Sequence, residues 1–265
     1  MGSLFEASQE RSLLRWGGLA GLLGGALLLF VFIFVGAVIG PEPAGLEGPV
    51  SRFPEIAAAR TFENTVYLVV MALLAIHVAT LAYALRGASL APALVGGVLG
   101  VAGTTVLAAG ALPHVATGRL SDLYHAAGAT PADQATVAFV WQANQGIFDA
   151  LLAAGLVPLS IGVAALGLAM LGAPAFGRRL GAATIALGLA GTGAATAFVL
   201  DPRSPMIVIG FLALVVFGLV LGWRVYRLSN APGAARGTLA ELRVADGRLS
   251  SYQVDIAADQ GARSA

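Results

Sequence analysis

The sequence predicts an all-α fold, a polytopic membrane helix bundle with six transmembrane helices. Six runs of about twenty or more residues lack a charged side chain, and each is long enough to cross a hydrocarbon core roughly 30 Å thick. Short polar connections separate them. Hydrophobic residues make up 58% of the 265 positions and charged residues only 11%, with a mean hydropathy of +0.85. Such a chain has lipid as its main solvent.

The first run is Trp16 to Gly40, between Arg15 and Glu42. Its length exceeds a signal-peptide core of about 7 to 15 residues, and Glu6 and Glu10 interrupt any basic leader, so it reads as a permanent span. The second runs from Asn64 to Leu85, and the third occupies most of Gly87 to Gly118, with Pro113 as its expected end. The fourth lies within Ala150 to Gly177. The fifth is Leu180 to Leu200 and the sixth Ser204 to Trp223, with Ser204 as N-cap and Pro205 as first helical residue. Residues 1–227 thus form the six-span domain, and residues 228–265 read as a polar, mostly disordered cytoplasmic tail. Within that tail, Asp246-Gly247 could turn a hairpin, and Thr238 with Glu241 could cap a helical turn.

An even number of spans puts both termini on one side, and the arginines near span ends select that side. Arg11, Arg15, Arg86, Arg178, Arg179, Arg224 and Arg227 lie with the termini; Arg52, Arg60, Arg119 and Arg203 lie opposite. Seven against four predicts a cell-membrane protein with cytoplasmic termini. The outer face then receives the two long connections, Pro41 to Phe62 and Pro113 to Gln134, and a short interfacial helix is expected over Pro54 to Arg60. There are no lysines and no cysteines, which excludes disulfides and thiolate metal ligands. A net charge of +1 points to no charged partner.

Lipid gives helices no hydrophobic reason to associate, so small residues that admit close backbone contact must help. Gly17, Gly21 and Gly25 form one groove on the first span; Gly96 with Gly100 repeats the pattern on the third, and Gly218 with Gly222 on the sixth. The first groove could equally pair two copies of the chain. The expected partners are the lipid bilayer and a second copy or another membrane protein.

The approach to the fourth span carries the densest polar signal. Thr130, Pro131 and Asp133 form a helix start, and helical character continues through Trp141, Gln142, Asn144, Gln145 and Asp149. From Pro131 to Met170 a straight helix would measure roughly 60 Å, about twice the core, so a break at Gly146, a kink at Pro158 or a protrusion is required. Gln142, Gln145 and Asp149 share one face. Asp149 is the one carboxylate set in apolar helical sequence, readable as a headgroup-level or interhelical hydrogen-bonding group or as a ligand or proton site. His77, about thirteen residues or roughly 20 Å from the outer end of the second span, reads as a packed imidazole or a ligand. His114 and His125 lie at the second outer loop, as solvated side chains or as partners of Asp149.

No cofactor and no metal site is expected. Haem ligation by two histidines requires equal depth on facing helices, whereas His77 and His114 differ by most of a leaflet. The chain has no HExxH, no Walker loop, no GxSxG elbow and no basic, aromatic surface for nucleic acid.

The stretch Leu156 to Gly191, LVPLSIGVAALGLAMLGAPAFGRRLGAATIALGLAG, resembles a family of bacterial six-span membrane proteins known as a domain of unknown function. In that family a span ends in a small connector with a proline and a basic residue, then re-enters through a Leu-Gly start; Pro174, Arg178, Arg179, Leu180 and Gly181 would fill those roles, and the likeness extends over Arg15 to Arg227. It implies a fold and no activity. The residues themselves favour a noncatalytic accessory or sensing component that uses its outer loops. A small-solute or proton-coupled transporter with Asp149 in its pathway is the second reading, its two three-span halves related by inverted topology. A membrane enzyme using Asp149 with His114 or His125 as acid and base is the third.

Overall fold

The computed structural model describes residues 2–202 and 204–230, with side chains from Ser8 onward. The described residues form seven α-helices and no strand. Six segments are long and apolar enough to cross a membrane, as the charge-free runs require. Most of the expected polar tail, including the Asp246-Gly247 and Thr238/Glu241 features, lies outside the described residues.

Helix α1 is Gly2–Phe34, and a π-helical turn over Val35–Ile39 ends it. Gly40 stops the turn at φ 69°, a left-handed conformation that a residue with a Cβ adopts only under strain. The Arg52 guanidinium then holds the departing chain, donating to the carbonyls of Ile39 at 2.7 Å and Pro41 at 2.8 Å. Helix α2, Gly48–Leu85, joins what the sequence divides into an interfacial helix and a span. Pro54 removes one hydrogen bond inside it, but Val50 and Phe53 are buried on that turn and keep the segment helical.

Pro113 is the expected end of the third span; it lies instead inside the following helix, and α3, Leu90–Ala109, stops four residues before it. Its ring cannot coexist with a regular turn above the residue four positions back, and α3 ends at that residue. The chain resumes after Gly110 as α4, Ala111–Tyr124, so the expected loop is helical. Two side chains of α2 dress the break: Tyr67 donates to the Leu107 carbonyl at 3.0 Å and Asn64 to the Ala111 carbonyl at 3.4 Å.

Helix α5 is Pro131–Leu171, 41 residues without interruption. Of the expected ways to accommodate this length, a break at Gly146 does not occur and the helix is continuous through Pro158, so it is longer than a hydrocarbon core is thick. Its start is the capping box read from sequence, with Thr130 Oγ1 accepting from the Asp133 amide at 3.3 Å and the Asp133 carboxylate accepting from the Thr130 amide at 2.9 Å. Helix α6 is Arg178–Leu200, and α7 is Ile207–Ser229. The last helix begins two residues later than the Ser204-Pro205 signature suggests, because Ser204 and Pro205 remain in the connecting turn.

The spans close a ring in chain order, α1, α2, α3, α5, α6, α7, with α7 packed back on α1. Glycine seams make these approaches close. A Cβ on Gly103 would lie 2.6 Å from the Gly155 carbonyl, and one on Gly162 would lie 2.7 Å from the Gly100 amide, so α3 and α5 touch backbone to backbone. Gly167 and Gly181 do the same for α5 and α6. Inside the ring, Leu74, Leu81, Leu156, Leu166 and Phe217 form the main core.

At about 1.5 Å per residue, α2 and α5 overshoot the hydrocarbon core by more than 20 Å each. With α4 they build a cap on the end of the ring opposite the termini. A second core, Val50, Phe53, Tyr124, Ala138 and Trp141, holds the cap together. Phe53 and Trp141 meet edge to face at 5.3 Å between ring centroids, a geometry that contributes about 0.5–1.5 kcal/mol beyond area burial. Beyond hydrocarbon depth water again drives burial, so the cap coheres by a force the spans lack.

Candidate functional site

The cap meets the ring over a cavity of about 170 Å³ bounded by α1, α2, α4, α5 and α7. One wall is polar, because a single turn of α2 presents Glu63, Asn64 and Tyr67 and the start of α4 adds His114. The remaining walls are apolar, with Leu28, Phe32, Phe148, Leu152 and Phe211 among them. The polar wall follows from the break in α3. Asn64 spends its amide nitrogen on the Ala111 carbonyl, and its Oδ1 is left buried with no hydrogen-bond partner. A carbonyl can only accept, so the amide orientation is settled and the orphan atom is an acceptor.

Above the same wall Arg60 bridges two carboxylates, Glu63 at 3.0 Å and Glu42 at 3.2 Å. The triad carries one net negative charge when all three groups are ionised. A smaller void of about 30 Å³ lies on its far side, lined by Glu42, Arg52, Arg60, Trp141 and Gln145. His114 lines both spaces, and its ring stacks on Phe148 at 4.2 Å between centroids, so the imidazole forms a partition between them.

The residues singled out from sequence do not converge on one place. His114 belongs to the cavity. Gln145 reaches the smaller void and also donates to Asp149 Oδ1 at 3.2 Å, while Gln142, on the same helix face, is exposed. Asp149 itself lines a lateral groove between α5 and α6, with Phe198, Val199 and Pro202 opposite. His77 sits deep in the ring, fully buried, with Nδ1 2.9 Å from the Gly17 carbonyl and its ring edge-to-face with Phe217. His125 turns to its own helix, its Nδ1 2.9 Å from the Ser121 carbonyl. Among the described residues, no three His, Asp or Glu side chains gather to hold a metal ion.

The glycine groove of the first span is occupied by the chain itself. A Cβ on Gly17 would collide with Thr80 and one on Gly21 with the His77 ring, both on α2, while Gly25 faces Leu219 of α7. Gly96 packs on Gly162 and Leu166, Gly100 on Val78, Gly218 on Gly21 and Gly25, and Gly222 on Gly18 and Leu22.

Glu63, Asn64 and Tyr67 escaped the sequence reading. The signal was present, since three polar residues open an otherwise apolar span, but a polar span end ordinarily marks the headgroup boundary. Only the capping helices convert that boundary into an interior wall.

No family model matches the chain, and no curated protein or solved structure matches it significantly.

Proposed function

We propose that the protein is a noncatalytic sensing or accessory component that holds a small, largely apolar molecule between its ring and its cap. The cavity at Asn64 carries this reading: five helices bound it, most of its walls are apolar, and a few convergent polar groups lie on one side, the usual character of a small-molecule site. The cap is then the extracytoplasmic face, and the termini are cytoplasmic. Asp149 speaks against acid–base catalysis, because the groove it lines contains neither His114 nor His125, and against transport, because that groove is lateral and otherwise apolar.

The reading is tested with a diazirine-bearing benzyl alcohol, photoactivated on the protein in phosphatidylcholine nanodiscs and mapped by mass spectrometry. Labelling is expected at Phe32, Phe148, Leu152 or Phe211 and should disappear in Leu152→Trp, which fills the space. Labelling confined to lipid-facing residues such as Leu94 and Leu168, unchanged in that variant, would overturn the proposal.

A further inference from the structure

The polar wall offers acceptors to whatever enters: the orphan Asn64 Oδ1 and the Glu63 carboxylate. Arg60 divides its guanidinium between two carboxylates, Glu63 at the cavity and Glu42 on the far side, where Arg52 also lies. Around these acceptors stand four aromatic rings, Phe32, Tyr67, Phe148 and Phe211. Phe32 and Phe211 are already edge-to-face at 5.4 Å. Aromatic side chains beside a carboxylate that shares its guanidinium favour an organic cation, whose N–H groups can also donate to a buried amide oxygen. An anion would meet the Glu63 carboxylate, and a simple hydrocarbon would leave Asn64 Oδ1 without a donor. The surrounding cap points the same way, since residues 42–63 and 119–133 carry six carboxylates and three arginines and would concentrate cations near the entrance.

Resting on the binding reading above, we propose that the ligand is a lipophilic amine, with its ammonium group at Glu63 and Asn64 and its apolar body against Leu28, Leu152 and Phe211. The space limits that body. A cavity of about 150 Å³ accommodates benzene, so one ring, or an alkyl chain of comparable volume, fits beneath His114.

Competition against the neutral photolabel tests the assignment, using benzylamine, benzyl alcohol and benzoate at pH 7.4 in phosphatidylcholine nanodiscs. Benzylamine should suppress cavity labelling at about tenfold lower concentration than benzyl alcohol, and benzoate should be the weakest competitor. Glu63→Gln should bring the amine back to the alcohol's value while the neutral label still enters, which shows that the variant is folded. Glu42→Gln removes the same formal charge from outside the cavity, so it should lower the preference less than Glu63→Gln does, because only Glu63 can touch the ammonium group. If Glu63→Gln cannot be labelled at all, Phe211→Leu replaces it: this variant leaves every charge in place and should reduce the amine preference several-fold. Equal competition by amine and alcohol on a labelled wild-type cavity would overturn the amine assignment and leave the binding reading intact. Equal loss in Glu42→Gln and Glu63→Gln would overturn the role given to Glu63. Absence of cavity labelling would overturn the binding reading itself, and the amine with it.

Discussion

His77 Nδ1 lies 2.9 Å from the carbonyl oxygen of Gly17, so the second span donates a side-chain hydrogen bond to the backbone of the first. The contact is available because Gly21, one turn on, has no Cβ; an added methyl carbon there would stand 2.5 Å from the same nitrogen. His77 Nε2 is buried without a hydrogen-bond partner. His77→Ala therefore loses one interhelical bond and opens a void beside Phe217, costing about 2–4 kcal/mol, most of it from the void. His77→Leu fills the space and removes the orphan nitrogen, so its loss should be about 1 kcal/mol. Thermal unfolding in detergent should rank wild type above His77→Leu and His77→Ala lowest. Equal destabilisation by the two substitutions would show that the hydrogen bond, and not packing, dominates.

The seam that closes the ring is equally specific. A Cβ on Gly222 would lie 2.6 Å from the Leu22 amide and 2.9 Å from the Gly18 carbonyl, both backbone atoms that cannot rotate away. Gly222→Ala must push α7 off α1 and should cost about 1–3 kcal/mol. Gly193→Ala, in open space on α6, should raise stability by a few tenths to about 1 kcal/mol through helix propensity. The same substitution thus has opposite signs at two helical glycines, and melting temperatures measured side by side decide the matter.

Thr130→Ala removes the N-cap acceptor of α5 and should cost about 1 kcal/mol. The loss should remain local. Amide exchange should accelerate in the first two turns after Pro131, while amides near Leu156 and Leu166, in the main core, keep their protection. A uniform increase along α5 would mean that the cap and the ring unfold as one unit.

The spans were legible because lipid solvation leaves a local mark: each crossing needs an uninterrupted apolar run, and all six are contiguous in the chain. The start of α5 was legible for the same reason, since Thr130, Pro131 and Asp133 act within one turn. The cap was not. Val50, Phe53, Tyr124, Ala138 and Trp141 come from three helices, and residues such as Pro54, Glu55 and Arg60 between them have loop-like composition. The sequence therefore suggests a short interfacial helix where α2 is continuous, and a loop where α4 stands. The cavity depends on that cap, so His114 was visible as a candidate while Glu63, Asn64 and Tyr67 were hidden. Asp149 attracted notice by its apolar surroundings, which turn out to be a groove between α5 and α6.

Which end faces the cytoplasm is a question the chain itself makes tractable, because it has no cysteine. Ala127 is exposed in the connection between α4 and α5, at the cap, and Ala88 is exposed in the turn between α2 and α3, at the opposite end. In the proposed orientation Ala88 is inside, with Arg86 beside it. In intact cells a membrane-impermeant maleimide should label Ala127→Cys at once, and Ala88→Cys only after permeabilisation. The reverse pattern would turn the protein over and place the cap in the cytoplasm, where the amine proposal would concern an intracellular ligand. Labelling of both sites from outside would require an even number of crossings between them, whereas α3 supplies one.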